Sequence, residues 1–346
     1  MIKILFVGES WLGSCARSLR EALARNKDIE LEEISEDVGF PIGKSFASRV
    51  LNRMGHHIFR VDFENGLLAK IDGFKPDILL VYKGFRIDSR CLRRIKSRGV
   101  KTVNVYPDYS PHAYGASHKL AIGNYDLIIS TKIFHPERWA SIYGYSNRCE
   151  FVPQGFDPVL HYRESESKRY EYDLVVVATY REEYGSLMLS LADELADSQI
   201  RVAIGGYGWS QIQSELPRAW KCIGEVHGRE YIDTLRSSKI CLAPLNTEVV
   251  ILGARQPGDQ DTTRTYELAA ANCFFIHQST PYVKELFEGT GLPFFSNAAE
   301  VVKHVKYFID REEERSKIVA AVHALVTERH SLDVRALDII QLLGTV

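Results

Sequence analysis

The chain of 346 residues, 45% hydrophobic and 25% charged, is long for one hydrophobic core and comfortable for two domains. A net charge of -2 supplies no global positive field, which argues against a nucleic-acid partner. The six cysteines form no CxxC pair and no HExxH occurs, so neither a zinc site nor a disulfide framework is expected.

The N-terminal MIKILFVGESWLG has one lysine, a short apolar run and no small-residue cleavage site, and it reads as a first strand rather than a signal peptide. No apolar run approaches the roughly 18 residues needed to span a bilayer, so a cytoplasmic chain is expected. Short β-branched runs then recur at 2–8, 29–34, 77–82, 100–106, 125–131 and 149–153, separated by helical patterns. This alternation predicts a parallel sheet covered by helices on both faces. The segment HYRESESKRYEYD, 161–173, is charged and lacks apolar periodicity, as surface linkers do. Beyond it the pattern repeats at 172–180, 200–206, 221–226, 239–245 and 273–277, and after about residue 300 apolar residues fall at helical spacing. The expectation is an α/β chain with two Rossmann-like domains facing across a cleft. The first covers 1–165 and the second 166–330, and a C-terminal helix, 331–346, returns to the first.

Open α/β sheets bind ligands at the carboxyl ends of their strands, so the strand-to-helix turns carry the functional reading. Gly8 to Ser14 has the glycine spacing of a phosphate loop, but Ser14 stands where the phosphate lysine is required, which excludes a nucleoside triphosphatase. Gly13 would still open a helix whose N–H groups can meet a polar ligand. At the end of 172–180, in Thr179-Tyr180-Arg181, the arginine could reach phosphate oxygens, although an arginine in such a place is more often solvated. After 200–206, Gly206 and Tyr207 would let a ligand approach the backbone closely. The most polar turn, GDQDTTRTYELAAANCFFIH at 258–277, runs straight into small residues and an apolar strand. If Asp261 or Thr262 caps that helix, Glu267 lies beyond capping-box distance, and its carboxylate needs another purpose. An exposed i to i+3 pair with Arg264 is the plainer explanation. A helix so well covered favours a cleft instead. Residues 44–60 carry Lys44, Arg49, Arg53 and Arg60 without an acidic residue. They could contact anionic lipid or a phosphorylated acceptor, although a solvated helix face is the more ordinary reading.

Five segments resemble glycosyltransferases of the GT-B fold, in particular the group that includes the spore-maturation protein CgeB and, more distantly, retaining family 4. Val152–Asp157 (VPQGFD) is similar to the "lPnGvD" passage that closes the first domain, and Asp173–Thr179 to the opening strand of the second. Arg264–His277 resembles the "R-x-x-E-x-x-A-x-G" donor helix and its next strand, with Asn272 in place of glycine. Thr280–Phe287 resembles the segment that follows, and Glu328–Arg335 the terminal "H-x-x-x-x-R" helix. Family 4 carries a Glu-x7-Glu motif, and here it reads Asp259-x7-Glu267, one methylene shorter at its first position.

The resemblance implies a nucleotide-diphosphate sugar as donor, no other cofactor and an unidentified acceptor. Arg181 and Arg264 would stabilise the departing diphosphate. Gly13, Thr179, Gly206, Tyr207, Thr263 and the helix N-terminus would line the nucleotide, Asp259 would face the sugar and Glu267 the ribose. Asp108, with His112 and His118 behind it, is the candidate to accept the acceptor proton in an inverting reaction, although a turn aspartate before Ser-Pro explains it at least as simply; retention needs no such base. Asp259-Gln-Asp261 is also a D-x-D, but sugar transferases that bind metal through this motif place it early in a single nucleotide-binding domain. No metal is therefore assigned. A sugar-nucleotide epimerase of the same fold and a non-catalytic nucleotide-sugar-binding protein remain the alternatives.

Overall fold

The computed structural model describes the chain apart from residues 38–45, 114, 165–168, 196–197 and 252 and the side chains of 46–59. The chain divides into two compact units, one comprising Met1–Pro153, Ile251–Ala254 and Asp333–Val346, the other Gln154–Val250 and Arg255–Leu332. Gln154 onward belongs to the second unit because its backbone is tied there. Phe156 N–H donates to His330 O, Leu332 N–H to Phe156 O and Arg163 N–H to Ala270 O.

In the first unit β1 (Ile2–Gly8), β2 (Ile29–Ser35), β3 (Ile78–Tyr82), β4 (Lys101–Tyr106), β5 (Leu127–Ser130) and β6 (Arg148–Phe151) form a parallel six-stranded sheet in the order β2-β1-β3-β4-β5-β6. The inner strands are buried on both faces: Ile4, Leu5 and Val7 of β1 and Leu79, Leu80 and Val81 of β3 are fully covered. That is why they read as continuous apolar runs rather than as alternation. Helices start where short polar side chains cap them. Ser14 accepts from Ala16 N–H ahead of Cys15–Ala24, and Asp88 accepts from Cys91 N–H ahead of Ser89–Lys96, whose last turn is basic as the helix dipole favours. The basic stretch 44–60 lies mostly outside the described residues. Lys44 and the side chains of Arg49 and Arg53 are among those not described, while the backbone from Phe46 belongs to the helix Phe46–Phe74.

The second unit contains β7 (Tyr172–Val177), β8 (Val202–Gly205), β9 (Lys221–Gly224), β10 (Ser238–Ala243), β13 (Phe275–Gln278) and β14 (Phe294–Phe295), ordered β14-β13-β10-β7-β8-β9 and parallel throughout. Between β10 and β13 the chain adds a two-stranded sheet, β11 (Glu248–Ile251) with β12 (Ala254–Pro257), which strand patterning did not predict. Asp173 at the start of β7 binds Arg201 and Lys239 from the neighbouring strands, and these contacts outweigh burial to hold its pKa down at about 2.

Counted from their own first strands, the two sheets differ. The second unit has the 3-2-1-4-5-6 order of dinucleotide-binding sheets and the first the 2-1-3-4-5 order of flavodoxin-like ones, with a sixth strand added. The direction of strand succession therefore reverses between β7 and β10 in the second unit and between β1 and β3 in the first. At such switch points helices leave on opposite faces and a crevice opens at the strand ends. No helix among the described residues is long and apolar enough to cross a membrane.

Candidate functional site

The second unit's switch point is where the polar turn of 258–262 arrives. The Arg264 guanidinium donates to Pro244 O at 3.1 Å, just past β10, so it sits at the β7/β10 crevice. Arg181 precedes the helix Glu182–Glu194 that follows β7, and its side chain is exposed. The charges of Arg264, Asp259 and Arg181 all act on the hydroxyl of Tyr184 in the first turn of that helix, where burial raises the phenol pKa above its ordinary value. Three sequence-predicted residues thus converge on one side chain that sequence reasoning did not single out.

Backbone geometry builds the neighbouring turns. Gly206 has φ of 117°, and a Cβ there would come within 2.0 Å of Ala178 O, so only glycine fits the turn after β8. Trp209 Nε1–H donates to that same Ala178 O at 2.7 Å, and Tyr180 packs edge-on against Trp209. Tyr207 is 55% exposed and Thr179 is also exposed, so both offer surface at the strand ends. Gly258 is as constrained, since a Cβ would lie 2.0 Å from Asn246 O. Asp259 N–H donates to that oxygen at 2.7 Å, which fixes where the polar turn begins.

The helix Thr263–Ala270 is anchored by a buried chain of hydrogen bonds. Thr262 N–H donates to Thr265 Oγ1 at 3.1 Å, and Thr265 Oγ1 lies 2.9 Å from His277 Nε2. His277 Nδ1 in turn meets Gln278 O at 2.8 Å, which places the ring proton on Nδ1 and leaves Nε2 to accept from Thr265. Burial pushes the His277 pKa down to about 4, and Arg264 lowers it further, so the ring is neutral at ordinary pH. Gln278 Oε1 accepts from Leu245 N–H at 2.7 Å and ties the β10 loop to the same strand end. The polar turn thus stands on a rigid, neutral foundation.

Arg264 and Glu267 do not form the i to i+3 pair that an exposed helix would favour. Glu267 Oε2 instead accepts from the Tyr231 hydroxyl at 2.7 Å, and Oε1 lies 3.9 Å from His161 Nε2. Neither Tyr231 nor His161 carried a local signal, because each reaches Glu267 from a distant part of the chain. Asp261 is fully buried and accepts from Gln260 Nε2 and the Tyr266 hydroxyl, both at 2.7 Å. Among the described residues no group of His, Cys, Asp and Glu is arranged to hold a metal ion. Asn272, which stands where the resembled family has glycine, adopts a left-handed backbone with φ of 56°, and its amide donates to Arg163 O.

The first unit holds the remaining sequence-predicted residues. Gly13 has φ of 95° in the turn after β1, where Glu9 Oε2 accepts from Trp11 Nε1–H at 3.2 Å and from Ser14 Oγ at 3.4 Å. Asp108 follows β4, and its Oδ2 is buried without a hydrogen-bond partner. Its charge acts on His118, whose pKa burial lowers and whose Nε2–H donates to Lys83 O at 3.3 Å. His118 is 5% exposed, and His112 packs edge-on against Tyr143. Glu36, past the end of β2, was not singled out from the sequence. Burial pushes its pKa up to about 7, opposed by the Arg86 N–H that donates to it and by the Arg86 charge.

Residues 181–341 match a family model described as glycosyl transferase-like. No curated protein matches the sequence. Among solved structures, the sucrose-phosphate synthase of Thermosynechococcus elongatus superposes with a TM-score of 0.69 at 12% identity, covering 100% of this chain and 99% of that one. The Anabaena protein HepE in complex with UDP superposes at 0.66 and 12% identity, covering 100% of both chains. The trehalose-6-phosphate synthase OtsA superposes at 0.64 and 12% identity, covering 99% of both. The likeness identifies the two parallel six-stranded sheets as the GT-B architecture, and residues 181–341 are similar to a glycosyl transferase-like family. Together they support a glycosyltransferase.

Proposed function

We propose that the protein transfers a sugar from a nucleoside-diphosphate donor to an acceptor hydroxyl, without a metal ion, and that the second unit binds the donor. One observation carries the reading. Arg264 and Glu267 stand one helical turn apart beside the β7/β10 switch point, each engaged by a partner outside its helix rather than by the other. A diphosphate needs fixed cations and N–H donors, which Arg264, Arg181 and the first N–H groups of the helix at Thr263 supply. Ribose hydroxyls need a carboxylate, which Glu267 supplies. Thr179, Gly206 and Tyr207 line the approach and Asp259 faces the sugar. HepE has been solved with UDP and with UDP-glucose, and that likeness of fold supports the same donor class.

In the reaction the anomeric C–O bond to the diphosphate breaks, its electron pair goes to the phosphate oxygen, and the acceptor oxygen forms the new bond. Positive charge grows on the sugar and negative charge on the diphosphate. Preorganised guanidinium groups stabilise the latter without moving. In an inverting reaction Asp108 takes the acceptor proton, with its unpartnered Oδ2 as the accepting atom and His118 beside it.

A thermal-shift screen against UDP, GDP, ADP and their sugar conjugates tests the proposal. A ligand at a hundredfold excess over Kd raises stability by about 2.7 kcal/mol, so a true donor stands out. The response should shrink in Arg264→Ala and in Glu267→Ala. Equal responses in the wild type and both variants would contradict the assigned site.

A further inference from the structure

The Glu267 carboxylate is held by two side chains that do not belong to its helix. Tyr231, on the helix Gly228–Arg236, donates to Oε2 at 2.7 Å, and His161 Nε2 stands 3.9 Å from Oε1, close to it but beyond hydrogen-bond length. The histidine is itself fixed: Asp157 N–H donates to its Nδ1 at 3.1 Å, so Nδ1 is an acceptor and the ring N–H lies on Nε2, the nitrogen nearer the carboxylate. The Tyr231 and His161 rings meet edge to face with centroids 6.3 Å apart. Burial, and after it the Glu267 charge, raises the Tyr231 pKa well above that of an ordinary phenol, so the hydroxyl keeps its proton and remains a donor. The Glu267 side chain retains 13% exposure, so the carboxylate is pinned but not sealed.

An ionised carboxylate offers about four acceptor positions, two on each oxygen. Tyr231 takes one on Oε2 and His161 faces one on Oε1. At least one position on each oxygen therefore remains for a ligand. A carboxylate free to rotate can meet a single hydroxyl and turn its other oxygen to water. A pinned one presents both positions together, and a ligand that fills only one leaves the other unsatisfied at the site.

Building on the donor reading above, we propose that Tyr231 and His161 are positioning residues that fix the plane of Glu267 to receive two adjacent hydroxyls, and so make the site select ribonucleotides over 2′-deoxyribonucleotides. Neither side chain needs to touch the ligand. The ribose-to-deoxyribose preference is therefore their specific readout, beyond any effect on overall affinity.

The test is calorimetric titration of UDP, GDP, ADP and their 2′-deoxy counterparts into the full chain and into Tyr231→Phe, His161→Ala and His161→Gln. Circular dichroism melts accompany each variant. The wild type is expected to prefer the ribonucleotide roughly tenfold or more, the scale of one hydrogen bond to a charged group. Tyr231→Phe and His161→Ala should each reduce that ratio by at least about threefold. His161→Gln, which keeps an N–H donor, should restore much of it. A wild-type ratio preserved in both Tyr231→Phe and His161→Ala overturns this inference and leaves the donor reading standing. Tyr231→Phe removes a single oxygen, so that outcome stays readable even where a His161 variant fails to fold. No binding of any of these nucleotides to the wild type overturns both.

Discussion

At the strand ends of the first unit the chain places the carboxylates Glu9 after β1, Glu36 and Asp37 after β2 and Asp108 after β4, beside Lys83 and Arg86 after β3 and Lys132 after β5. At the ends of β7 and β10 in the second unit it places Arg181 and Arg264 with Asp259, and fixes the helix behind them with a neutral histidine. Both edges belong to parallel sheets with buried inner strands, so the scaffold does not account for the difference. One edge is suited to accepting protons and hydroxyl donors, the other to holding an anion. Under the proposed function, the donor and acceptor sides are told apart by charge at the strand ends rather than by fold.

The sharpest test of that contrast is pH. The Glu36 pKa is raised by folding from 4.5 to about 7, so the folded state binds more protons than the unfolded state across that window. The sign follows: stability from this group is fully present below pH 4.5 and is lost as pH rises through 7, by on the order of 3 kcal/mol. Glu36→Gln should flatten that decline in a melting-temperature profile while leaving nucleotide binding unchanged. Parallel profiles for variant and wild type would remove the acidic edge from the comparison.

Next in size, Arg264→Ala should lower kcat/KM by roughly 10- to 100-fold, the loss expected for one charge-assisted contact. Its counterpart on the other edge, Asp108→Asn, should leave nucleotide affinity untouched while slowing an inverting reaction. Gly206→Ala forces a Cβ against Ala178 O at a positive φ and should destabilise the second unit by about 1–3 kcal/mol, read by denaturant unfolding. Ser14→Ala removes the cap of Cys15–Ala24 and should cost only about 1 kcal/mol, with no change in donor affinity. A clear loss of donor affinity in Ser14→Ala would blur the division between the two edges.

The strands were legible because inner parallel strands are unbroken apolar runs, and IKILFVG and DILLVY are found within a residue of their expected bounds. The β11–β12 sheet was not, since EVVI and ARQP carry neither a long apolar run nor a two-residue turn signature. At the candidate site, Arg264 and Glu267 stood out because charged residues on so apolar a helix need a reason. His277 was visible only as the last residue of a buried strand, and its role depends on Thr265 lying across a sheet-to-helix contact. Tyr231 and His161 are joined to Glu267 by tertiary packing alone, and no periodicity or cap announces them.

The direct measurement is a calorimetric titration of UDP, GDP and ADP into the wild type, Arg264→Ala and Asp108→Asn. The account predicts that at least one nucleotide binds the wild type, that Arg264→Ala weakens it roughly 10- to 100-fold, and that Asp108→Asn binds as the wild type does. Unchanged affinity in Arg264→Ala, or a loss confined to Asp108→Asn, would place the diphosphate on the other edge and contradict the account.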